Sequence, residues 1–586
     1  MQDHQGTVGS DAPQHFLTAA ERKAVSSATQ PFRVSLYKAL LFGHVAQGLK
    51  AGTVYLEQSY KYRALEGYLL EREQWQTRRT HYVHLADLER LADPHNMLQQ
   101  LEVDLHQQYV TTNARLEARS NPFVQSKSDE TLLVRTPPQR RDHTETLATF
   151  FPGRQYIALT EILATVNQLT HFLAEFTHGQ HHPTVARPPV QTFLAGLLGV
   201  GCGIGIRKLA RIFRHVQETQ VEHAVNWYFT PTNLQAANDR IPQMIDRLPL
   251  PTIYRRSVDS LQTSSDGQKF EIPAESLNAN YSSKYFGKGQ GVSVYSFMDE
   301  RHLLFYSTVI RAAERESAYV LEGLLHNNVV HSEVHSTDTH GYSELVFGVM
   351  HLLGFTYAPR IKHFQRQRLY AFKGLRRHDA YPSFLVKPSG TINVPLILAQ
   401  WDAILRLLVS LKLKVTTPSA LFRRLNSYSS QYGLYRALKA FGQILKSLFL
   451  LRYLDDVELR QRITQQLNKV EQSHRFARAL SVGHPRELLS VDKEGQEIEE
   501  GCRRLIKNAV TCWNYVYLAK RLLGTADPTH QHLLVQAIRH GSPISWQHIN
   551  LLGEYDFSDK RLEDSVGILP ATWLHAKASK LAELVG

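Results

Sequence analysis

Cysteine is scarce in this chain of 586 residues. The three cysteines, Cys202, Cys502 and Cys512, form no Cys-x-x-Cys pair. A small, odd set of this kind argues against a disulfide scaffold and against a cysteine-based zinc site. We therefore expect the protein to belong to a reducing compartment.

Long apolar runs are also missing. No uninterrupted apolar segment reaches membrane-spanning length. The amino-terminal stretch MQDHQGTVGSD lacks the charged start and apolar run of a signal peptide. Hydrophobic residues nevertheless make up 43% of the chain, which is enough to fill several cores. We expect a soluble, cytoplasmic protein.

Acidic residues are outnumbered by basic ones. The chain has 67 Lys and Arg against 54 Asp and Glu, for a net charge of +13 and a pI near 9.4. This excess favours a polyanionic partner, and phosphates would supply most of the affinity for a nucleic acid. The charge does not identify the nucleic-acid sequence that is bound.

A sheet is predicted in the middle of the chain. Gln268, Phe270 and Ile272 share one face of a first strand. GVSVYSF and HLLFYSTVI are rich in β-branched and aromatic residues and predict two more strands. After them, RAAERESAYVLEGLLHNN predicts a helix, VVHSEVH a fourth strand, GYSELVFGVMHLL a second helix and FTYAP a fifth strand.

Three carboxylates occupy informative positions in this order of elements. Asp266 lies on the first strand and Asp338 just after the fourth, and this is the ribonuclease-H-like arrangement, in which those two strands are neighbours. Glu471 lies on a later helix whose apolar stripe includes Leu467 and Val470. We expect Glu471 to project from the core-facing side of that helix, beside the sheet, so that the three carboxylates meet.

A cluster of three acids has a clear chemical use. Neighbouring carboxylates repel one another, so they are tolerated where a cation neutralises them, and oxygen ligands suit Mg²⁺ or Mn²⁺. Two such ions can activate a water or a 3′-hydroxyl and stabilise the departing oxygen of a phosphodiester. The triad therefore predicts a metal-dependent nuclease or strand-transfer centre.

Each acid also has a common structural interpretation. Asp266 could belong to a turn, and Asp338 could cap the helix that begins near Tyr342. Glu471 could pair with Arg475 one helical turn later. A separate motif, GVGCGIG, superficially suggests a dinucleotide-binding loop, but the preceding segment is helix-like and no acidic residue follows at the required distance.

Seven stretches of the chain resemble one family in both content and order, and the resemblance runs from about residue 35 to about residue 560. They are SSDGQKF, YSSKYFGKGQGVSVY, STDTHGYSELVFGVMHLLGFTYAPRIK, WDAILRLLVSLK, YLDDVELRQRITQQLNKVE, NAVTCWNYVYL and SPISWQHINLLGEY. The family is that of the class II, or Tn-three, replicative transposases.

The resemblance implies a DDE transposase. Asp266, Asp338 and Glu471 fall on the family's catalytic, metal-binding positions, with Mg²⁺ or Mn²⁺ as the cofactor. Family members nick the 3′ ends of the transposon and join them to target DNA, which gives a cointegrate that a separate resolvase resolves. The implied partners are transposon-end inverted-repeat DNA, target DNA and a second copy of the chain, in the nucleoid-associated part of a bacterial cytoplasm, with no membrane and no nucleotide cofactor.

Several basic residues near the triad are candidates for DNA contacts. Lys469, Arg475 and Arg478 flank Glu471, while His335 and His340 flank Asp338. We expect these side chains to contact DNA phosphates.

The predicted architecture is mixed α and α/β. It comprises a helical segment with a polar connector at 1–143, a helical scaffold domain at 144–250, a ribonuclease-H-like DDE catalytic domain at 251–485 and a helical carboxyl-terminal region at 486–586. A long, mainly helical insertion is expected at about 362–455 within the catalytic domain.

The chain departs from the family in three respects. Full-length members carry DNA-binding domains before the region where this chain starts, so a truncated or split transposase is expected. Val470 stands where the family has glycine, and Tyr515 where it has threonine. A truncated, non-catalytic remnant or regulator that binds DNA or dimerises with a longer transposase is therefore the alternative function, and a ribonuclease-H-like nuclease of another family is a third.

Overall fold

A computed structural model of the chain describes residues 8–9, 11–27, 31–51, 53–59, 62–126, 132–138, 143–153, 156–179, 186–213, 215–255, 261–327, 329–339, 341–374, 384–427, 432–551, 555–557 and 577–585. The chain forms two compact units. The first comprises Met1–Gln107, Phe347–Leu353 and Arg368–Leu448. The second comprises Gln108–Val346, Gly354–Gln367 and Phe449–Gly586. The domain boundaries inferred from the sequence stay a prediction.

Helices and strands are numbered in chain order within the described residues. The α-helices are α1 Ala19–Val25, α2 Val34–Ala51, α3 Arg72–Leu85, α4 Pro94–Glu117, α5 Thr144–Ala148, α6 Leu159–Thr170, α7 Val190–Gly201, α8 Ile206–Ile212, α9 Glu218–Tyr228, α10 Pro231–Ile245, α11 Ser283–Phe286, α12 Val320–Leu325, α13 Glu344–Leu352, α14 Val394–Ala399, α15 Trp401–Lys412, α16 Pro418–Ser427, α17 Gly433–Asp455, α18 Val457–Leu480, α19 Lys493–Gly524, α20 Pro528–His540 and α21 Ala578–Val585. The strands are β1 Val124–Ser126, β2 Leu132–Val134, β3 Ile157–Ala158, β4 Leu261–Ile272, β5 Asn280–Tyr281, β6 Gln290–Asp299, β7 Leu304–Arg311, β8 Ser332–Thr337, β9 Thr356–Tyr357, β10 Tyr370–Ala371, β11 Gly390–Thr391 and β12 Ile549–Asn550.

The first unit is mainly helical. Helix α15 coincides with the stretch WDAILRLLVSLK, and it is buried over most of its length because apolar residues follow one another on several of its faces. Polar side chains tie it to neighbouring segments: Trp75 Nε1 donates to Asp402 at 3.0 Å, and Trp401 Nε1 donates to the Leu91 carbonyl at 2.9 Å. The helices predicted in the insertion are confirmed by α14 to α17.

A six-stranded sheet lies in the second unit. Across the sheet the strands run β7, β6, β4, β8, β9, and the short β5 also pairs with β6. The β7/β6 and β6/β4 pairs are antiparallel, whereas β4/β8 and β8/β9 are parallel. The predicted order of strands is confirmed, but the helix expected between the third and fourth strands is short, because a 3₁₀ turn at Glu316–Ala318 precedes α12.

Helices α18 and α19 cover the sheet. Helix α18 begins where the Asp456 carboxylate accepts a hydrogen bond from the Leu459 N–H at 2.8 Å, a normal N-cap. In α19, Asn508 bonds through both ends of its amide to the backbone of Leu304 on β7, at 3.0 and 2.8 Å. Because both faces of β6 are covered, all ten of its residues are buried.

The larger hydrophobic core of the second unit is formed mainly by α6, α7, α10 and α19. The molecule is thus of the mixed α/β class, with a sheet and its covering helices supporting the carboxylate positions. In the described ranges, no helix is long and apolar enough to cross a membrane.

Candidate active site

Asp266 lies on the face of β4 that packs against α18. Residues of even number share this face, and two of them bond to the helix backbone: Ser264 Oγ donates to Gln466 O at 3.1 Å, and Gln268 Nε2 donates to His474 O at 3.3 Å. Asp266 comes between those two anchors. Its carboxylate therefore faces the middle of α18, and its Oδ2 lies 3.8 Å from His474 Nδ1.

Asp338 follows β8 directly and lies next to Asp266. The last residue pair of the parallel β4/β8 ladder is Ser265 with Thr337, so Asp266 and Asp338 are the next residues along the two strands. Neighbouring strands are separated by about 4.8 Å. The prediction that these two strands are neighbours is confirmed.

The turn after Asp338 is held by hydrogen bonds. The Gly341 N–H donates to Asp338 O at 2.9 Å, and Tyr357 Oη donates to Gly341 O at 2.8 Å. Tyr357 Oη also lies 2.7 Å from Thr337 Oγ1. A side chain at Gly341 would approach Thr337 to 2.7 Å, so glycine permits this close turn. The position of the Asp338 backbone is therefore fixed on both sides.

Arg360 binds the Asp338 carboxylate. Arg360 Nε and Nη2 donate to Asp338 Oδ1 at 3.0 and 2.8 Å. Burial raises the pKa of Asp338, but the Thr339 N–H and the Arg360 guanidinium outweigh it, so the pKa lies below its ordinary value. Asp338 is therefore held as a carboxylate.

Asp266 has a different electrostatic environment. Burial, followed by the negative charges of Glu316, Asp338 and Glu471, raises its pKa to about 7, although a hydrogen bond from the Gly267 N–H opposes the shift. The charges of the other two predicted acids therefore both act on Asp266. A fourth acid, Glu316, was missed by the sequence analysis, because it lies in the 3₁₀ turn before α12 and approaches the sheet only in the folded chain.

Glu316 lies against the opposite face of β4 from Asp266, at the odd-numbered positions Gly267 and Lys269. A Cβ at Gly267 would collide with the Glu316 carboxylate, so glycine allows the close approach. Lys269 Nζ lies 3.5 Å from Glu316 Oε1, and the Glu316 side chain is only 14% exposed. Lys269 thus partly neutralises the acid that contributes most to the charge around Asp266.

Glu471 does not face the core, and the prediction of its orientation is wrong. Ile463, Leu467 and Val470 are buried as expected, but Glu471 is exposed. The buried face of α18 also includes Ser473, Phe476, Ala477 and Leu480, which lie on the side away from Glu471. At 100° per residue, Glu471 lies about 110° from the centre of all the buried residues of the helix, at its flank.

A polar cleft of about 940 Å³ adjoins Glu471. Its lining includes five cationic side chains, those of Arg255, Arg462, Lys469, Arg475 and Arg539. It also includes the carboxylates of Glu300 and Glu471 and several glutamines, Gln262 and Gln472 among them. Lys469 is oriented by a hydrogen bond to the Glu300 carbonyl at 2.6 Å and lies 5.7 Å from the ring of Tyr254.

The basic residues predicted to contact DNA lie in different environments. Lys469 and Arg475 line the cleft, whereas Arg478 is exposed on the next turn and is not part of the lining. His335 is completely buried between Thr263 and Ser265, with 2.8 Å to each, and burial lowers its pKa to about 3. The expectation that His335 contacts phosphate is therefore wrong, and His340 lies outside the described residues.

Two of the carboxylates form a candidate pair of metal ligands. Among the described residues, no three His, Cys, Asp or Glu side chains are arranged to hold one ion together. Mg²⁺ is, however, commonly bound by only one or two carboxylates, with water and substrate phosphate completing its shell. Asp266 and Asp338, adjacent on parallel strands and repelling each other, are a donor pair that fits such an ion.

This sheet and its acidic pair belong to a chain with a DDE transposase domain. Residues 161–555 match the family described as the Tn3 transposase DDE domain. The chain therefore belongs to the Tn3 transposase family, as the resemblance of its motifs predicts.

Similar proteins carry the same designation. The transposase for transposon Tn1546 of Enterococcus faecium is 28% identical over 90% of this chain and 52% of its own length. The transposase for transposon gamma-delta of Escherichia coli (strain K12) is 28% identical, over 94% and 54%. The transposase for transposon Tn501 of Pseudomonas aeruginosa is 30% identical, over 96% and 56%. The chain thus spans about half the length of these relatives.

Proposed function

We propose that this chain catalyses metal-dependent 3′-end cleavage of DNA and strand transfer in replicative, cointegrate-forming transposition. Asp266, Asp338 and Glu471 are the proposed catalytic and metal-binding residues. The observation that carries this proposal is the adjacency of Asp266 and Asp338 at the end of the β4/β8 ladder, with the charge of Glu471 acting on Asp266.

The sheet supports a ribonuclease-H-like catalytic fold. Three antiparallel strands, β7, β6 and β4, continue into two parallel strands, β8 and β9, and the central pair carries the two aspartates. Helix α18 lies against the same face of β4 and contributes the third acid. This is the arrangement that the motif order predicts for such a domain.

Mg²⁺ or Mn²⁺ is the proposed cofactor, held by Asp266 and Asp338 with Glu471 nearby. When bound, such ions activate the attacking oxygen and stabilise the departing one. The protein contributes the fixed turn at Asp338 and the partly buried Asp266, whose pKa is raised by burial and then by the neighbouring negative charges. Both features favour a divalent cation at this end of the sheet.

The polar cleft is the proposed path of the DNA backbone. Five cations line it, and Glu471 lies on its surface, so a strand that occupies the cleft reaches the catalytic acids at that residue. Lys469 and Arg475 are the proposed phosphate contacts on α18. The proposed substrates are transposon-end inverted-repeat DNA and target DNA, and the proposed assembly is a homodimer, as in the family that the sequence resembles.

The alternative, a non-catalytic remnant or regulator, is not favoured. A chain that only binds DNA has no need for paired aspartates on neighbouring strands, because such a pair costs stability through repulsion. The family match and the names of the relatives also support a transposase.

The test compares the purified wild-type chain with Asp266→Asn on DNA that carries the ends of its own transposon. With Mg²⁺ or Mn²⁺, we expect the wild-type chain to nick the 3′ ends and Asp266→Asn to be slower by at least about a hundredfold. Glu333→Gln is a matched control, since Glu333 is an exposed acid on β8 outside the site. Equal product profiles for the wild type and Asp266→Asn would exclude catalysis by this centre.

A further inference from the structure

Arg360 distinguishes Asp338 from the other acids of the site. Its guanidinium donates twice to one oxygen of Asp338, at 3.0 and 2.8 Å, and Thr339 Oγ1 lies 3.3 Å from the same oxygen. The Thr339 N–H also bonds to this carboxylate. One oxygen of Asp338 is thus held by a cation, while the side chain keeps 30% of its surface exposed to solvent.

The backbone of Arg360 is fixed by the sheet. After β9, the Ala358 N–H donates to His335 O at 2.8 Å, and the Arg360 N–H donates to Thr337 O at 2.9 Å. The strand pairing therefore extends to Arg360 itself and delivers its side chain to the residue after Thr337. The guanidinium can move, but it cannot leave the neighbourhood of Asp338.

The ion pair is accessible to solvent. The Arg360 side chain is 35% exposed and that of Asp338 is 30% exposed. A partly exposed pair of this kind is screened by solvent and contributes on the order of 1 kcal/mol, so a divalent ion can compete with it. A buried pair would instead resist exchange, because each partner would have to be left desolvated.

We propose that the Arg360 guanidinium binds the Asp338 carboxylate before the metal ion does. When the metal ion and the DNA bind, the Arg360 side chain swings away from Asp338 and its guanidinium binds a phosphate of the DNA. This inference rests on the proposed function. An arginine suits both partners, since its planar guanidinium binds carboxylate and phosphate with the same two-pronged geometry. Exchange keeps the local charge balanced: the arginine offsets Asp338 in the free protein and the phosphate in the complex.

The first measurement is Mn²⁺ binding to the full chain without DNA, by calorimetry or by the electron paramagnetic resonance of free Mn²⁺. Removing the competing cation in Arg360→Gln should tighten Mn²⁺ binding about fivefold, which corresponds to ~1 kcal/mol. Arg360→Lys keeps the charge but loses the paired donors, so its Mn²⁺ affinity should lie between those of the wild type and Arg360→Gln. Arg366→Gln is the matched control, an exposed arginine in the same connecting segment, and should leave Mn²⁺ binding unchanged.

The second measurement is the cleavage of transposon-end DNA at saturating Mn²⁺. Arg360→Gln should be slower by at least about tenfold, because the phosphate loses a charged donor. Tighter metal binding together with slower cleavage is the signature of exchange. A simple loss of structure would weaken both, and such a result, or unchanged Mn²⁺ affinity, would overturn the proposal.

Asp338→Asn separates this inference from the proposed function. If Asp338→Asn binds Mn²⁺ as well as the wild-type chain does, the metal site itself is wrongly assigned. If Asp338→Asn loses Mn²⁺ while Arg360→Gln and the wild type bind it equally, only the role of Arg360 is refuted.

Discussion

Neutralising Arg475 should reduce the salt dependence of DNA binding by one phosphate contact. Arg475 is exposed on α18, one turn after Glu471, and is one of the five cations that line the cleft. Each cation that neutralises a phosphate contributes about 0.9 to the slope of log affinity against log salt concentration. Five contacts predict a slope of about −4.5, and Arg475→Gln should lower its magnitude to about 3.6.

The effect is large enough to measure by fluorescence anisotropy with a labelled DNA duplex. Between about 50 and 200 mM salt, the affinity should fall roughly 500-fold for the wild type and roughly 150-fold for Arg475→Gln. Arg478→Gln is the control, because Arg478 has the same charge and lies on the next turn outside the cleft lining. If Arg478→Gln lowers the slope as much as Arg475→Gln does, or if neither changes it, the cleft is not the DNA path.

Three further changes test the packing that supports the site. Burial lowers the pKa of His335 to about 3, so as the pH falls below about 6.5 the unfolded chain is protonated at His335 before the folded chain is. The contribution of neutral His335 to the free energy of unfolding is therefore complete above about pH 6.5 and is lost towards pH 3. In His335→Gln, the loss of stability from pH 7 to pH 5 should be smaller by about 2 kcal/mol, as a smaller fall in melting temperature would reveal. Gly291→Ala would press a methyl group against a backbone carbonyl of β4 and should cost about 1–3 kcal/mol in urea denaturation, whereas Gly524→Ala, with open space around it, should cost far less. Asp299→Asn leaves the buried Arg301 without the carboxylate that accepts from its Nε at 2.8 Å, and should lower the urea midpoint by an amount equivalent to about 3 kcal/mol.

The sheet could be predicted because its signals are local. Gln268, Phe270 and Ile272 are buried in β4 as their alternation predicts, and the apolar stretches GVSVYSF and HLLFYSTVI correspond to β6 and β7. The adjacency of Asp266 and Asp338 was also predicted, because the order of the elements suggested an arrangement in which the first and fourth strands are neighbours, as β4 and β8 are.

Side-chain partners could not be predicted in the same way. The contact between Arg360 and Asp338 depends on the register of β9 with β8, which no local pattern specifies. The only signal in the sequence was a basic residue directly after the fifth strand. The buried position of His335 depends on Thr263 and Ser265 of another strand, and polar residues at these positions do not themselves indicate a core.

The orientation of Glu471 was misjudged because the buried face of α18 extends further from Glu471 than the apolar residues before it indicate. Ser473, Ala477 and Leu480 are buried on the side away from Glu471. Leu467, one turn before Glu471, therefore lies near the edge of the buried face and not at its centre. The correct centre turns Glu471 towards the side of the helix.

Because Glu471 lies at the flank of α18, it can line the cleft and also act on Asp266, which a buried residue could not do. Asp266 and Asp338 are absent from the cleft lining, whereas Glu471 is part of it and its charge also acts on Asp266. Gln262 extends the same connection, because it lines the cleft and belongs to the face of β4 that carries Asp266. A DNA strand in the cleft would thus meet Glu471 first and the two aspartates behind it. We therefore propose that the cations of the cleft bind DNA and that the two aspartates hold the metal ion. Glu471 is part of both the DNA-binding cleft and the acidic cluster around the metal ion.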